Sequence, residues 1–211
     1  MTLANIEHMF GQQESLFSVT AEAVSDPRPD RSFDALSRRD LADGAWLDHA
    51  PGWLEGDARL FDELSTAVDW AQPDVEMYDR VVTTPRLVAR MTVDEHPVLS
   101  EIADALSERY GRRMDRISAN WYRNGDDSVA WHGDRVARDR HEAVVATVSL
   151  RGPREFRFRP AVGGASDRIS LGHGDLVVMG GTFQRTWRHA IPKTSGPVAP
   201  RMVVMFRHAY D

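Results

Sequence analysis

Cysteine is absent from the 211-residue chain, and lysine occurs once against 25 arginines. The first absence excludes disulfides, thiolate nucleophiles and cysteine-ligated zinc or iron–sulfur centres, so any metal has to be held by His, Asp or Glu. Eight histidines are available for that. No apolar run approaches the roughly 18 residues needed to span a bilayer. The opening "MTLANIEHMF" has neither the basic end nor the apolar stretch of a secretory signal, so the expectation is a cytoplasmic protein without membrane contact. A net charge of −6 weighs against a strongly basic nucleic-acid binder. The charge is unevenly spread, however. Residues 130–211 carry 13 Lys or Arg against 7 Asp or Glu, net +6, and residues 1–129 carry 13 against 25, net −12. A locally basic half suits an anionic substrate or cosubstrate, and a general abundance of arginine accounts for it equally well.

A hydrophobic content of 42% with 9% aromatics is enough for an ordinary globular core, and one domain is expected over residues 51–211. Residues 1 to about 50 are polar and broken by "SDPRPDRS", which reads as an arm or irregular cap. In "GDARLFDELSTAVDW", Leu60, Phe61, Leu64, Ala67 and Val68 fall on one helical face, predicting a helix over 57–69. "HPVLSEIADALSERYG" repeats the pattern, with Pro97 in the first turn and Gly111 just past the end. Between these helices "EMYDRVVTTPRLVARM" reads as extended. After Gly111 the chain breaks into short β-branched and aromatic runs, predicting strands near 116–123, 128–133, 143–150, 154–160, 167–171, 175–179, 186–191 and 201–208. Short strands at this density predict an α+β chain with a mainly β core, folded as a jelly roll or double-stranded β-helix. The mouth of such a fold is a common place for a site.

The tripeptide His-Gly-Asp occurs twice, at 132–134 and at 173–175. In a strand, residues i and i+2 point to the same side, so His132 and Asp134 can take adjacent corners of a metal. A third ligand has to arrive from another strand. His189, with 54 residues intervening after Asp134, lies several strand reversals later. The set His132, Asp134 and His189 is a two-histidine, one-carboxylate facial triad, the arrangement that leaves positions open on non-haem Fe(II). In the second copy Gly172 and Gly174 stand on either side of His173, Gly180 and Gly181 follow shortly after, and Asp175 lies only 14 positions before His189; it reads as a turn feeding the next strand.

In "RMVVMFR", Arg201, Val203, Met205 and Arg207 share one strand face. Two arginines on a face that otherwise reads as core are costly unless paired with anions. A dicarboxylate cosubstrate would supply one, since the guanidinium fork matches a carboxylate. The alternative is a terminal edge strand with solvated arginines.

Taken together, "NWYRNGDDSVAWHGD", "RHAIP" and "RMVVMFR" resemble the AlkB family of Fe(II)- and 2-oxoglutarate-dependent dioxygenases over about residues 56–208. The resemblance implies a double-stranded β-helix over about 116–208, with a nucleotide-recognition lid over about 76–97. It implies an O2-consuming oxidative demethylation of alkylated bases in nucleic acid, DNA more than RNA, with release of succinate, carbon dioxide and formaldehyde. It makes His132, Asp134 and His189 the iron ligands. By the same resemblance Arg201 binds the distal carboxylate of 2-oxoglutarate with Tyr122 beside it, and Asn120 and Arg207 serve the oxoacid end near the metal.

Two features depart from that family. Many AlkB repair enzymes carry an acidic residue directly after the His-x-Asp motif, where this chain has Arg135, which cannot accept a hydrogen bond from an exocyclic amine. The lid stretch Arg86 to Pro97 has no aromatic, although stacking is worth roughly 1 to 3 kcal/mol per base. Arg135 and Trp131 are therefore the substrate-contact candidates, with core packing as the alternative for Trp131. "QESLF", through Gln13, Ser15, Leu16 and Phe17, resembles the peptide by which bacterial DNA-processing proteins dock on the sliding clamp; packing of Leu16 and Phe17 on the domain is the alternative. A monomer is expected. An AlkB-like dioxygenase acting on a protein or small molecule, and a cupin-like module without activity, remain the competing functions. The choice between the two tripeptides is tested by succinate release: His132→Ala is expected to abolish it and His173→Ala to leave it largely intact, and equal loss from both would overturn the choice.

Overall fold

Apolar residues at period two dominate the second half of the chain, and a computed structural model, which describes residues 25–77, 80–134 and 141–208, pairs them into two sheets. The N-terminal elements are β1 (Arg28–Pro29), β2 (Ser37–Asp40), β3 (Ala45–Ala50), β4 (Leu54–Glu55) and α1 (Asp57–Ala67). They are followed by β5 (Asp74–Met77), β6 (Arg80–Thr83), β7 (Leu87–Met91) and α2 (Pro97–Tyr110). The rest is β8 (Arg116–Tyr122), β9 (Val129–His132), β10 (Val145–Arg151), β11 (Arg154–Pro160), β12 (Asp167–Leu171), β13 (Leu176–Gly181), α3 (Phe183–Thr186), β14 (Trp187–Ile191) and β15 (Arg201–Arg207). The major sheet runs β2-β3-β13-β10-β15-β8-β7 and the minor sheet β12-β11-β14-β9, with antiparallel pairing throughout. This is the expected jelly roll.

The central strands of the major sheet are apolar on both faces because both faces are covered. Val148, Leu150, Val178, Met202, Val204 and Phe206 pack with Leu60, Leu64, Leu99, Ile102 and Leu106 of the two long helices. Val145, Val177, Met179 and Val203 point the other way and share a second core with Phe156, Phe158, Leu171 and Ile191 of the minor sheet. Both helices follow their sequence signals. α2 has Pro97 in its first turn and ends at Gly111, whose φ of 64° is the left-handed cap that glycine adopts without strain.

Residues 28–50 correct the expectation of an irregular arm. β3 lies beside β13 over six residue pairs, and Ala45, Leu47, Asp48 and Ala50 are buried. Its polar residues hid it. Asp48 is fully buried and accepts two hydrogen bonds from Arg38, at 2.7 and 2.8 Å, and one from the Tyr110 hydroxyl at 2.9 Å. Arg38 in turn lies 3.9 Å over the Trp46 ring, which stacks on Tyr110. Trp46 lies flat across β13 because its cross-strand partner is Gly180, where a Cβ would come within 1.9 Å of the indole.

The segment expected as a lid divides in two. β5 and β6 form a separate hairpin, and β7 joins the major sheet beside β8. Gln13, Ser15, Leu16, Phe17 and Arg135 lie outside the described residues. Asp48→Ala leaves the Tyr110 hydroxyl and the Arg38 fork without an acceptor, and is expected to cost about 2 to 3 kcal/mol in urea unfolding; a loss below about 1 kcal/mol would mean that this network does not hold β3 in place.

Candidate active site

The triad is assembled by one cross-strand pairing. β9 and β14 run antiparallel with His132 directly opposite His189, and the two rings lie 4.2 Å apart between centroids. Asp134, two residues on, brings Oδ1 to 3.8 Å from His132 Nε2. One ligand atom from each of the three lies within 4.8 Å of the others. The Nδ1 of His132 is 2.9 Å from the Ala130 carbonyl oxygen, which can only accept, so Nδ1 carries the proton and Nε2 is left as a lone-pair donor.

The surroundings keep His189 and Asp134 in their ligating forms. Burial drives the pKa of His189 down to about 3, assisted by the neighbouring His132, so its imidazole is neutral. Burial alone would raise the pKa of Asp134, but Arg207, with His189 and His132, outweighs it and holds the carboxyl below its ordinary value. Arg207 donates from Nε to Asp134 Oδ2 at 2.8 Å and from Nη1 to Ser118 Oγ at 2.8 Å. Two imidazoles, the buried one neutral, with an ionised carboxylate are the donor set a divalent iron takes.

A cavity of about 1310 Å³ opens beside the triad, and Asn120, Tyr122, Arg201 and Arg207 line it together with the three ligands. β15 and β8 set this wall, with Arg201 opposite Tyr122 and Val203 opposite Asn120. Because β15 lies between β10 and β8, the edge-strand alternative is excluded. Arg201 is 1% exposed, and its only hydrogen bond among the described residues goes from Nη2 to Ser149 Oγ at 2.7 Å. Its Nε and Nη1 are buried without a partner among those residues. Burial lowers its pKa to about 10, which still leaves it charged at neutral pH. A buried cation with two unused donors in a cavity wall fits a carboxylate ligand.

The sequence assignments fare unequally in this geometry. All seven triad and wall residues meet in one cavity. Arg207 is turned toward the triad carboxylate, so what it supports directly is Asp134. Trp131 is in neither the cavity nor the core: it lies half-buried on the outer face of the minor sheet, with the Arg159 guanidinium 4.3 Å over its ring. The second His-Gly-Asp is a turn, with His173 exposed at φ 46°. Asp175 accepts from Gly172 N at 3.1 Å and Gly52 N at 2.8 Å. Ser149, Ser118 and Gln184 contact site residues and were not marked by sequence; single polar residues in apolar strands or a short turn of helix give no pattern to read.

Comparison with known proteins agrees with this geometry. Residues 58–207 match the model of the 2OG-Fe(II) oxygenase superfamily. The chain is 30% identical over 186 residues to the Bos taurus alpha-ketoglutarate-dependent dioxygenase alkB homolog 3, covering 76% of this chain and 65% of that protein. It is 26% identical over 246 residues to the Arabidopsis thaliana DNA oxidative demethylase ALKBH2, covering 95% of this chain and 77% of that protein. The structure of OsALKBH1 superposes with a TM-score of 0.57 at 15% identity, covering 82% of this chain and all of that one, a likeness of fold. The chain spans less than two thirds of the bovine and human homolog 3 proteins, 65% and 61%. The facial triad, the jelly roll that builds it and these matches place the chain in the 2OG-Fe(II) oxygenase superfamily, within its AlkB family.

Proposed function

We propose that this protein is an Fe(II)- and 2-oxoglutarate-dependent dioxygenase that oxidatively demethylates alkylated bases in nucleic acid. The observation that carries the reading is the convergence, in one cavity, of two histidines and an aspartate at metal-ligand spacing and a buried arginine with two unused donors. His132, Asp134 and His189 would hold the iron. Arg201 would hold the distal carboxylate of 2-oxoglutarate, with Tyr122 across from it and Asn120 nearer the metal. Iron and the oxoacid, when bound, supply the oxidising chemistry that yields succinate and carbon dioxide and converts the N-methyl group to formaldehyde. The chain supplies position and exclusion of water: the inter-sheet core behind His189 is built of Phe156, Phe158 and Phe183.

A nucleic-acid substrate is supported by the activity in the name of the Arabidopsis relative and by the outer face of the minor sheet. There the register sets Arg157 directly opposite Arg168, and Arg159 directly opposite Arg188. Like charges in that relation destabilise a sheet. Glu155 bridges the first pair, while the second has no carboxylate partner among the described residues. A phosphodiester backbone supplies the missing anions, and the same face carries Trp131 beside Arg159. DNA is favoured over RNA because the relatives that name a nucleic acid name DNA. The hairpin strand β6 exposes Val81 and Val82, an apolar surface able to pack against unstacked bases where the lid stretch Arg86 to Pro97 has no aromatic.

The test is anaerobic loading with Fe(II) and 2-oxoglutarate, then air and a panel of methylated DNA and RNA oligonucleotides, with succinate and formaldehyde measured together. Equimolar formaldehyde and succinate on at least one oligonucleotide is the expected result. Succinate without formaldehyde across the panel would move the substrate to a protein or small molecule. Arg201→Met is expected to weaken 2-oxoglutarate binding to the Mn(II)-loaded protein by about 10- to 100-fold in calorimetry, the worth of a charge-assisted contact; unchanged binding would remove Arg201 from the oxoacid site.

A further inference from the structure

We infer that Gln184 is a positioning residue for the metal centre, clamping the segment that carries the first two ligands to the segment that carries the third. The inference rests on the metal reading of the triad. Gln184 is 1% exposed, although it is not among the residues that line the cavity. Its Oε1 accepts the backbone N–H of Asp134 at 2.8 Å, across 50 residues of sequence. Its Nε2 lies 3.6 Å from Met179 Sδ, so the amide is oriented by the core behind it. The backbone joins in the same contact: Gly133 sits so close to the Gln184 carbonyl that a Cβ there would come within 2.4 Å of it.

The element holding Gln184 is fixed in turn. α3 is a single turn whose Phe183 is fully buried, with ring centroids 6.4 Å from Phe158 and 6.1 Å from His189. Thr182 closes the turn, accepting from Arg185 N at 2.9 Å and Thr186 N at 3.0 Å and donating from Oγ1 to the Asp43 carbonyl at 2.6 Å. α3 runs directly into β14, and His189 follows Gln184 by five residues. One side-chain amide therefore ties the carboxylate ligand to the strand bearing the second histidine. β9 ends at His132, so Asp134 lies past the last ladder residue and has no strand partner among the described residues to hold its backbone.

Outer contacts of this kind typically change metal affinity by 10- to 100-fold. The experiment is calorimetric titration of the metal-free chain with Mn(II), alongside thermal unfolding without metal. For Gln184→Met, which keeps length and loses the acceptor, the Mn(II) Kd is expected to rise at least tenfold. Gln184→Glu, which keeps an oxygen at the same reach, is expected to stay within threefold of the parent. In the unaltered metal-free chain, hydrogen exchange of the Asp134 amide is expected to be slowed at least tenfold relative to an unstructured peptide, a readout that needs no variant. A Gln184→Met Kd within threefold of the parent, with only the melting temperature lowered, would overturn the inference and leave the metal site standing. An unprotected Asp134 amide would do the same. A parent chain that binds no Mn(II) would overturn both.

Discussion

The site exists only while β9 stays in register with β14. A histidine and an aspartate two residues apart face one side of a strand, but they become a triad only when His132 stands opposite His189. A slip of one residue in that pairing would turn His132 and Asp134 to the outer face. β9 is four residues long and forms the edge of the minor sheet, a weak position for such a demand. The fold compensates around it. Arg154, 3% exposed, donates to the carbonyls of Asn124 at 3.0 Å, Asp127 at 2.8 Å and Pro192 at 2.7 Å, tying the loop that leads into β9 to the residue that follows β14. Gln184 holds the other end of the segment.

Charge is distributed to the same purpose. Arg207 faces the carboxylate that ligates, whereas Arg201 on the same strand face is left with donors unused. The first arrangement keeps Asp134 ionised in a buried place, and the second keeps a cation waiting for an anion in the cavity wall. Both arginines sit on β15, which is central in the major sheet and packed on either side, so their spacing is set by a stiff element.

Much of this was legible in sequence, for physical reasons that can be named. The strands β8 to β15 stand out because six of the eight end at or directly before Gly or Pro, and the triad because two ligands share a strand parity and a third lies several reversals on. The second His-Gly-Asp gave itself away by the glycines on either side of His173, one of which, Gly174, has φ 80°. β3 was hidden because Asp48 and His49 break its apolar pattern, and only the distant Arg38 and Tyr110 make a buried carboxylate tolerable there. Strand alternation correctly turned Trp131 away from His132. It could not tell whether that face met a core, and the minor sheet presents arginines there. Gln184 was invisible, since its partner lies 50 residues back in the chain.

Crystals grown without oxygen in Fe(II) and 2-oxoglutarate test the central claim most directly, through anomalous scattering at the iron edge. The expected result is a single iron peak bounded by His132, Asp134 and His189, with the distal carboxylate of the oxoacid against Nε and Nη1 of Arg201. Iron at His173 and Asp175, or an oxoacid bound away from Arg201, would contradict it.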